Sequence, residues 1–193
     1  NVNTLGLGAF NYCTSLVSIS IGSGLTYLPW VFQGCTNLSD IRIEDAATTL
    51  TFGYTGKRTY TSNYSDQYIK ERSSSYYPCS SMFDNYNIKN LYIGRNITTE
   101  AYHFKRYYQS GAYSIEDSYY VPNPPFSGSC IENLTIGSLV SDLRMCPNIK
   151  TQVPTTFVIG SFAGAFQNCA NLDSIILHSK ATSIPENTFS GCN

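Results

Sequence analysis

The sequence predicts an α/β repeat solenoid, in which short coils stack and each coil adds one strand to a parallel sheet. The first observation is the pattern Phe-x-x-Cys-x-x-Leu-x-x-Ile-x-Ile, which spans residues 10–21 and recurs, offset by 22 residues, at 32–43. A third copy spans residues 166–177, and a fourth covers 184–192 in part. The second observation is the alternation of apolar and polar residues at the end of each copy, which is typical of a strand. Five matched apolar positions in register indicate a repeat.

Each copy divides into a strand, a second extended stretch and a turn. Residues 16–21 form the strand, because apolar and polar side chains alternate there. A Gly-Ser-Gly turn leads into a second extended stretch over residues 25–28, which Pro29 ends. Residues 31–35 form a short turn or a single helical turn. A coil this small cannot bury its apolar residues alone, so neighbouring coils must stack.

The strand register predicts a single domain over residues 1–193 with about six strand-bearing coils. Since the chain begins and ends in the middle of a repeat, we expect it to be a fragment of a longer protein. The predicted inward pairs are Ile19/Ile21, Ile41/Ile43, Leu91/Ile93, Leu134/Ile136, Phe157/Ile159 and Ile175/Leu177.

Two of the spacings between these pairs are too long for one repeat and predict insertions near residues 53–79 and 99–125. The first insertion follows Leu50, which we match to Leu28. The second follows Ile97, which we match to Leu25. Both therefore leave adjacent coils at about the same point, and we expect them to emerge side by side.

Composition excludes several classes of function. Lys and Arg number 12 against 13 Asp and Glu, so no basic surplus favours nucleic acid. No stretch reaches the ~20 apolar residues of a membrane span. Residues 1–8 do not resemble a leader, so we expect either a cytosolic chain or a leader that lies outside this sequence. His103 and His178 are isolated, no metal-binding Cys or His spacing occurs, and no cofactor is expected.

The repeat pattern resembles that of the BspA-like leucine-rich repeat family. The resemblance covers residues 5–43 and 157–192 well, 82–98 and 131–143 in part, and does not extend to the insertions. It implies a right-handed solenoid with a parallel sheet on its concave face. It also implies a bacterial or protist protein, secreted or at the cell surface, that works by adhesion or binding.

The cysteines of the repeat share one position, three residues after the Phe of the same copy. We expect free, buried thiols that act as small apolar side chains, with Cys13, Cys35 and Cys169 reduced. Cys79 and Cys130 lie near the insertion boundaries and are the only pair considered for a disulfide. The residues at the repeat position are Cys13, Cys35, Cys169 and Cys192.

The insertions contain 12 of the 16 tyrosines and are the first candidate binding surface. Tyr offers a large contact area at low entropic cost, which is why binding loops favour it. The alternative is that these tyrosines pack on one another as a small satellite core. The preferred contact residues are Tyr76, Tyr77, Lys105, Arg106, Tyr107 and Tyr108.

The concave sheet face is the second candidate. Alternation places Asp40, Arg42 and Glu44 outward on one strand, with Tyr92 on the next, which predicts a polar patch beside one aromatic ring. The alternative is a sheet face that is merely solvated.

These features predict a non-enzymatic binding or adhesion module whose partner is a host protein or a glycan. One alternative is a glycan hydrolase that uses Asp66, Glu71, Glu116 and Asp117 of the insertions. The other alternative is a structural spacer. The pattern leaves the oligomeric state open.

Overall fold

The computed structural model describes residues 2–53, 82–83, 86–99, 102–110, 112–121, 124–145, 157–160 and 164–192. Within these ranges the chain forms strands and turns and contains no helix. The eleven strands are β1 Ser18–Ile21, β2 Tyr27–Leu28, β3 Asp40–Ile43, β4 Leu50–Phe52, β5 Asn90–Ile93, β6 Ile97–Thr99, β7 Tyr102–Ser110, β8 Ala112–Val121, β9 Asn133–Ile136, β10 Phe157–Gly160 and β11 Ser174–Leu177.

Two parallel sheets organise the repeat. The main sheet has the order β1-β3-β5-β9-β11, and a second sheet has the order β2-β4-β6. Over its first three coils the chain alternates between the two sheets, which is consistent with a repeat solenoid. Of the two alternatives predicted for residues 31–35, the short turn is present, in which the Cys35 amide donates to the Phe32 carbonyl at 3.0 Å and Gly34 has a φ of 75°.

The main sheet confirms five of the six inward pairs as register partners. Ile41 and Ile43 of β3, for example, pair with Leu91 and Ile93 of β5 and are almost fully buried. In β11 the equivalent Ile175 is 42% exposed, since β11 is an edge strand of this sheet.

The prediction for the sixth pair, Phe157/Ile159, is wrong, because β10 does not belong to the main sheet. β9 pairs directly with β11, whereas β10 pairs in parallel with β8. The physical reason is length, because the 18 residues from Phe157 to Ile175 are too few for a full coil of about 22. The main sheet therefore contains five strands.

The pairing of strands in the second sheet corrects the predicted match of Leu50 to Leu28, from which the first insertion was placed. Leu28 pairs with Phe52, not with Leu50, and Leu50 pairs with Ile97. Because Phe52 and Thr99 are register partners at the ends of β4 and β6, both insertions still begin at neighbouring points. Most of the first insertion lies outside the described residues, while the second contains the antiparallel hairpin β7-β8.

Six phenylalanine rings form a ladder through the core. Consecutive centroids lie 5.0–6.4 Å apart, and each ring is stacked on the next. Phe83 and Phe126 do not match the repeat pattern in the sequence, because Tyr86 and Ser129 stand where the cysteine is expected, three positions later. The ladder contains, in order, Phe10, Phe32, Phe83, Phe126, Phe166 and Phe189.

The side chain at the cysteine position of the repeat donates a hydrogen bond in addition to packing in the core. The Cys35 thiol donates to the Phe10 carbonyl of the preceding coil at 3.0 Å, and the Tyr86 hydroxyl donates to the Phe32 carbonyl at 2.6 Å. The thiols of Cys169 and Cys192 make the same contact with the preceding Phe carbonyls, at 3.4 and 3.2 Å. Two chemically different side chains, a Cys thiol and a Tyr hydroxyl, therefore repeat one contact between coils, whereas the Ser129 hydroxyl donates to the Phe126 carbonyl of its own coil.

The predicted burial of these thiols is confirmed for Cys35 and Cys169 and wrong for Cys13, which is exposed. Cys13 belongs to the coil of β1, which is an edge strand of the main sheet. Cys130 is free, which argues against the disulfide with Cys79, a residue outside the described ranges.

A buried arginine links the third coil to the first. Arg95 is completely buried, and its two terminal nitrogens donate to the carbonyls of Gly22 and Ser23 at 2.9 and 3.2 Å. Its Nε has no hydrogen-bond partner, and burial lowers the pKa of its guanidinium. Since Gly22 and Ser23 follow β1 and Arg95 follows β5, this side chain spans the intervening coil.

The ladder predicts a graded loss of stability. Replacing Phe32, which is 1% exposed between two rings, with Ala should lower the free energy of unfolding by about 3–5 kcal/mol. Phe10→Ala is the matched control and should cost clearly less, because Phe10 is only partly buried at the end of the ladder. Urea unfolding of both variants measures the difference. A cost for Phe32→Ala below ~1 kcal/mol would contradict the burial.

The thiols predict a dependence of stability on pH. Burial raises the pKa of Cys169 to about 11 from its usual 9.0, so the folded chain keeps this proton longer than the unfolded chain. The resulting stabilisation is complete below pH 9 and is lost as the pH rises from 9 to 11. Cys169→Ser should reduce this loss, because serine does not titrate there and Ser129 already occupies the equivalent position. Equal alkaline slopes of unfolding free energy in both proteins would contradict the prediction.

Candidate functional site

The outer face of the main sheet, opposite the core, carries a row of hydrogen-bonded polar side chains at the start of its strands. The Asn90 amide donates to Asp40 at 2.6 Å, and the Asn133 amide donates to Asn90 at 3.3 Å. The Ser174 hydroxyl donates to Asn133 at 2.8 Å. Hydrogen bonds from Asn90 and then Ser39 lower the pKa of Asp40, so its carboxylate is ionised at neutral pH. The row crosses four neighbouring strands.

One step further along the strands, Arg42 and Glu44 form a short ionic contact. Arg42 Nε lies 3.1 Å from Glu44 Oε1, and the Ser20 hydroxyl donates to the same oxygen at 2.7 Å. The Ser20 hydrogen bond is the main cause that lowers the pKa of Glu44. Both residues are well solvated, so the contact orients Arg42 more than it stabilises the fold.

Tyr92 provides the aromatic ring of the site. The Arg42 guanidinium lies over this ring, 4.0 Å from its centroid, as a cation–π contact. The Tyr92 hydroxyl donates to the Asp45 carboxylate, with both oxygens at 2.9 Å. Burial, followed by the contact with Asp45, raises the pKa of Tyr92, which therefore remains a hydrogen-bond donor at neutral pH.

Gly94 and Gly137 leave the space that the close packing of Tyr92 and Asp45 requires. They follow β5 and β9 at equivalent register positions. A Cβ on Gly137 would lie 2.8 Å from the Tyr92 hydroxyl and 3.1 Å from the Gly94 Cα. A Cβ on Gly94 would lie 2.6 Å from the Asp45 nitrogen and 2.8 Å from the Ile43 carbonyl oxygen. The backbones at this edge therefore approach too closely for any side chain.

These contacts define the outer-face cluster, which consists of Ser20, Arg42, Glu44, Asp45 and Tyr92. The sequence correctly placed Arg42 and Glu44 beside Tyr92, and Asp40 lies on the same face in the adjoining row. It missed Asp45 and the two glycines, because all three follow the strands, where alternation no longer predicts direction. The signal in the sequence that could have indicated this part of the site is the glycine that directly follows Ile93 and Ile136.

The preferred contact residues of the insertions lie only in part within the described residues. Lys105, Arg106, Tyr107 and Tyr108 are consecutive residues of β7. Lys105 is the register partner of Asp117, and Arg106 that of Glu116. Tyr76 and Tyr77 lie outside the described residues. The role of these residues in binding stays a prediction.

Comparison with models of known protein families shows to which family the chain is related. Residues 1–109 and 157–193 match the model of the BspA type Leucine rich repeat region, in six copies, over more than half of the chain. The chain belongs to the BspA-type leucine-rich repeat family. A search of the curated proteins and a search of the solved structures found no significant match.

BspA-type repeats are often parts of surface or adhesion proteins, and leucine-rich repeats are generally non-enzymatic. In the part of this BspA-type chain that the structure describes, no helix is long and apolar enough to cross a membrane. No group of three or more His, Cys, Asp or Glu residues in that part could hold a metal ion.

The glycines of the site predict an ordered series of substitutions. Gly94→Ala should be the most destabilising, by about 1–3 kcal/mol, because its Cβ meets backbone atoms that cannot move aside. Gly137→Ala should cost less, since its closest contact is the movable Tyr92 hydroxyl. Gly22→Ala is the control, because Gly22 holds the equivalent position after β1 with no atom within 4 Å. Thermal unfolding of the three variants gives the order, and equal costs for Gly94 and Gly22 would contradict it.

Proposed function

We propose that this chain is a non-enzymatic binding module of a secreted or cell-surface protein, and that it recognises a protein or a glycan through the outer-face cluster. The observation that carries the proposal is the set of mutual contacts among Ser20, Arg42, Glu44, Asp45 and Tyr92. These side chains come from three neighbouring coils and are oriented by one another. Groups that are already ordered lose little entropy when a partner binds.

The chemistry of the cluster suits polar recognition. Tyr92 supplies an aromatic surface, Arg42 supplies directional donors, and the carboxylates accept hydrogen bonds. Glycan hydroxyls and the polar groups of protein surfaces both match such a set. The family relationship supports the same general role, since BspA-type repeats are often surface or adhesion repeats.

The described residues give little support to a glycan hydrolase. A carboxylic acid that donates a proton at neutral pH needs a raised pKa, whereas hydrogen bonds lower the pKa of Asp40 and Glu44. Glu116 and Asp117 are consecutive in β8, and their register partners in β7 are the basic residues Arg106 and Lys105. Asp66 and Glu71 lie outside the described residues.

The hairpin β7-β8 is a second candidate surface, and the binding role of the insertions, the first candidate from the sequence, stays a prediction. Its support is that β7, β8 and β10 form a separate three-stranded sheet rich in tyrosine. Tyr107 and Tyr108, the register partners of Ile115 and Ser114, are the residues that we expect to contribute there.

A binding screen with matched variants tests the proposal. The 193-residue chain is applied to a glycan array and to arrayed extracellular proteins, and its hits are measured by surface plasmon resonance. Arg42→Ala and Tyr92→Ala should each weaken the binding of a hit by roughly tenfold or more, as expected for residues at an interface centre. Thr135→Ala is the control, because Thr135 is the register partner of Tyr92 on the next strand.

Three results would argue against this site. If Tyr107→Ala or Tyr108→Ala removes binding while Arg42→Ala does not, the hairpin is the surface. If no glycan or protein binds, the chain is a spacer. If glycan fragments are released during incubation, and Glu116→Gln or Asp117→Asn stops the release, the chain is a hydrolase.

A further inference from the structure

One polar side chain per strand lies in a row across β3, β5, β9 and β11 on the outer face. The members of the row are register partners, and each is hydrogen-bonded to the next. Because neighbouring strands lie about 4.8 Å apart, the row offers polar groups at this spacing over about 14 Å. We call it the amide row, and it consists of Asp40, Asn90, Asn133 and Ser174.

The hydrogen bonds within the amide row leave mainly acceptors available to a ligand. Among the residues that the structure describes, Asn90 uses one N–H and one oxygen lone pair, and keeps one of each. The Asn133 amide nitrogen donates to two carbonyl oxygens, so the second lone pair of its own oxygen remains. The Ser174 hydroxyl donates its proton to Asn133 and can only accept from a ligand. A ligand of this row must therefore donate hydrogen bonds, as hydroxyl groups do.

The charges on this part of the outer face favour a neutral ligand. Asp40 is the single charged member of the amide row, and Lys89 lies close enough to attract its carboxylate. On the neighbouring row, the charge of Arg42 is balanced by Glu44 at 3.1 Å. An anionic polymer would meet the carboxylates of Asp40 and Glu44, and a cationic polymer would meet Arg42 and Lys89. Electrostatic complementarity therefore points to an uncharged chain that is rich in hydroxyl groups.

The spacing of the row favours a glycan over a peptide. An extended glycan with equatorial linkages advances by about one strand separation per sugar ring, so successive sugars meet successive strands. An extended peptide presents the side chains of one face about 6.6 Å apart and is out of step with the strands after one interval. An α-helix advances by about 5.4 Å per turn and drifts by about 2 Å over the row. Of these three ligands, the glycan stays in register across all four strands.

The outer-face cluster lies where the second edge of such a glycan would be. Arg42 and Tyr92 each follow a member of the amide row by two residues on the same strand, which is about 6.6 Å further along. Hydroxyl groups line both edges of an extended glycan. One edge can therefore bind the amide row while the other reaches Arg42 and Tyr92.

We propose that the ligand of the outer face is a neutral linear glycan that lies across the strands, with one sugar ring over each of β3, β5, β9 and β11. The amide row accepts hydrogen bonds from the hydroxyl groups along one edge, and Arg42 donates to those along the other. This inference rests on the proposed function, of which it names the ligand.

A series of oligosaccharides of increasing length tests the register without any substitution. Isothermal titration calorimetry measures the binding of cello-oligosaccharides and xylo-oligosaccharides to the 193-residue chain. The affinity should rise with each added sugar until the sugars equal the strands of the amide row in number, and should then stay constant. Malto-oligosaccharides contain the same sugar as cello-oligosaccharides in a curved chain and should not show this rise. Galacturonate oligomers, with a charge on each ring, should bind more weakly.

Substitutions in the amide row test which side chains make the contact. Asn90→Ala and Asn133→Ala should each weaken the binding of cellotetraose by about three- to tenfold, as expected for the loss of one or two hydrogen bonds. Asn171→Ala is the matched control and should leave the affinity unchanged, because Asn171 is exposed in the turn before β11 and outside the row. Circular dichroism and thermal melting show whether each variant is folded. If a variant is unfolded, the length series of the unchanged chain gives the answer.

The possible results separate this inference from the proposed function. An affinity that does not depend on length, equal binding of malto- and cello-oligosaccharides, or tighter binding of the galacturonate oligomers would overturn the inference. Equal effects of Asn90→Ala and Asn171→Ala would also overturn it. If no neutral glycan binds but a protein does, and Arg42→Ala weakens that binding, the inference is wrong and the proposed function stands. If neither a glycan nor a protein binds, both are wrong.

Discussion

Stacking of one coil on the next is the interaction on which the rest of this structure depends. A single coil supplies only a few apolar side chains and exposes both of its sides. Its Phe becomes buried only between two neighbouring rings, as Phe32 does between Phe10 and Phe83. The contrast between the buried Cys35 and the exposed Cys13 shows the same dependence for the thiol position. Burial is therefore a property of neighbouring pairs of coils, as expected for a solenoid.

The same stacking builds the candidate site. Three contacts of the outer-face cluster join one coil to another: Ser20 to Glu44, Arg42 to Tyr92, and Tyr92 to Asp45. Each contact joins side chains that are more than twenty residues apart in sequence and become neighbours only through the parallel register. Side-chain geometry on the outer face is thus fixed by the core beneath it, and a fault in stacking would change the site as well as the stability.

Much of the repeat could be predicted because its signal is periodic. The inward pairs of β1, β3, β5, β9 and β11 follow from alternation, and Arg42 beside Tyr92 follows from the register. β10 could not be placed, because its Phe-x-Ile pattern fits either sheet and only tertiary pairing with β8 decides between them. Phe83 and Phe126 were missed because Tyr86 and Ser129 stand at the cysteine position of their coils. Tyr86 still makes the hydrogen bond between coils, whereas Ser129 donates to Phe126 of its own coil. Asp45 and its glycines lie beyond the strands, where no period applies.

The insertions show the other limit of a periodic signal. Their tyrosine content indicated a binding surface, yet composition does not state which residues share a face. The register of β7 and β8 shows which residues of the two strands are partners, such as Tyr107 with Ile115 and Tyr108 with Ser114. The pairing of strands therefore determines which residues lie near one another, and this pairing could not be derived from the order of residues along the chain.

A double-mutant cycle between ladder rings tests the central claim most directly. The account predicts that Phe32→Ala and Phe83→Ala, whose rings lie 5.8 Å apart, are coupled by about 0.5–1.5 kcal/mol in the free energy of unfolding. Phe32→Ala and Phe166→Ala, with two rings between them in the ladder, should be additive within about 0.5 kcal/mol. Full additivity of Phe32 and Phe83, or equal coupling of both pairs, would show that the coils do not depend on contact with their immediate neighbours.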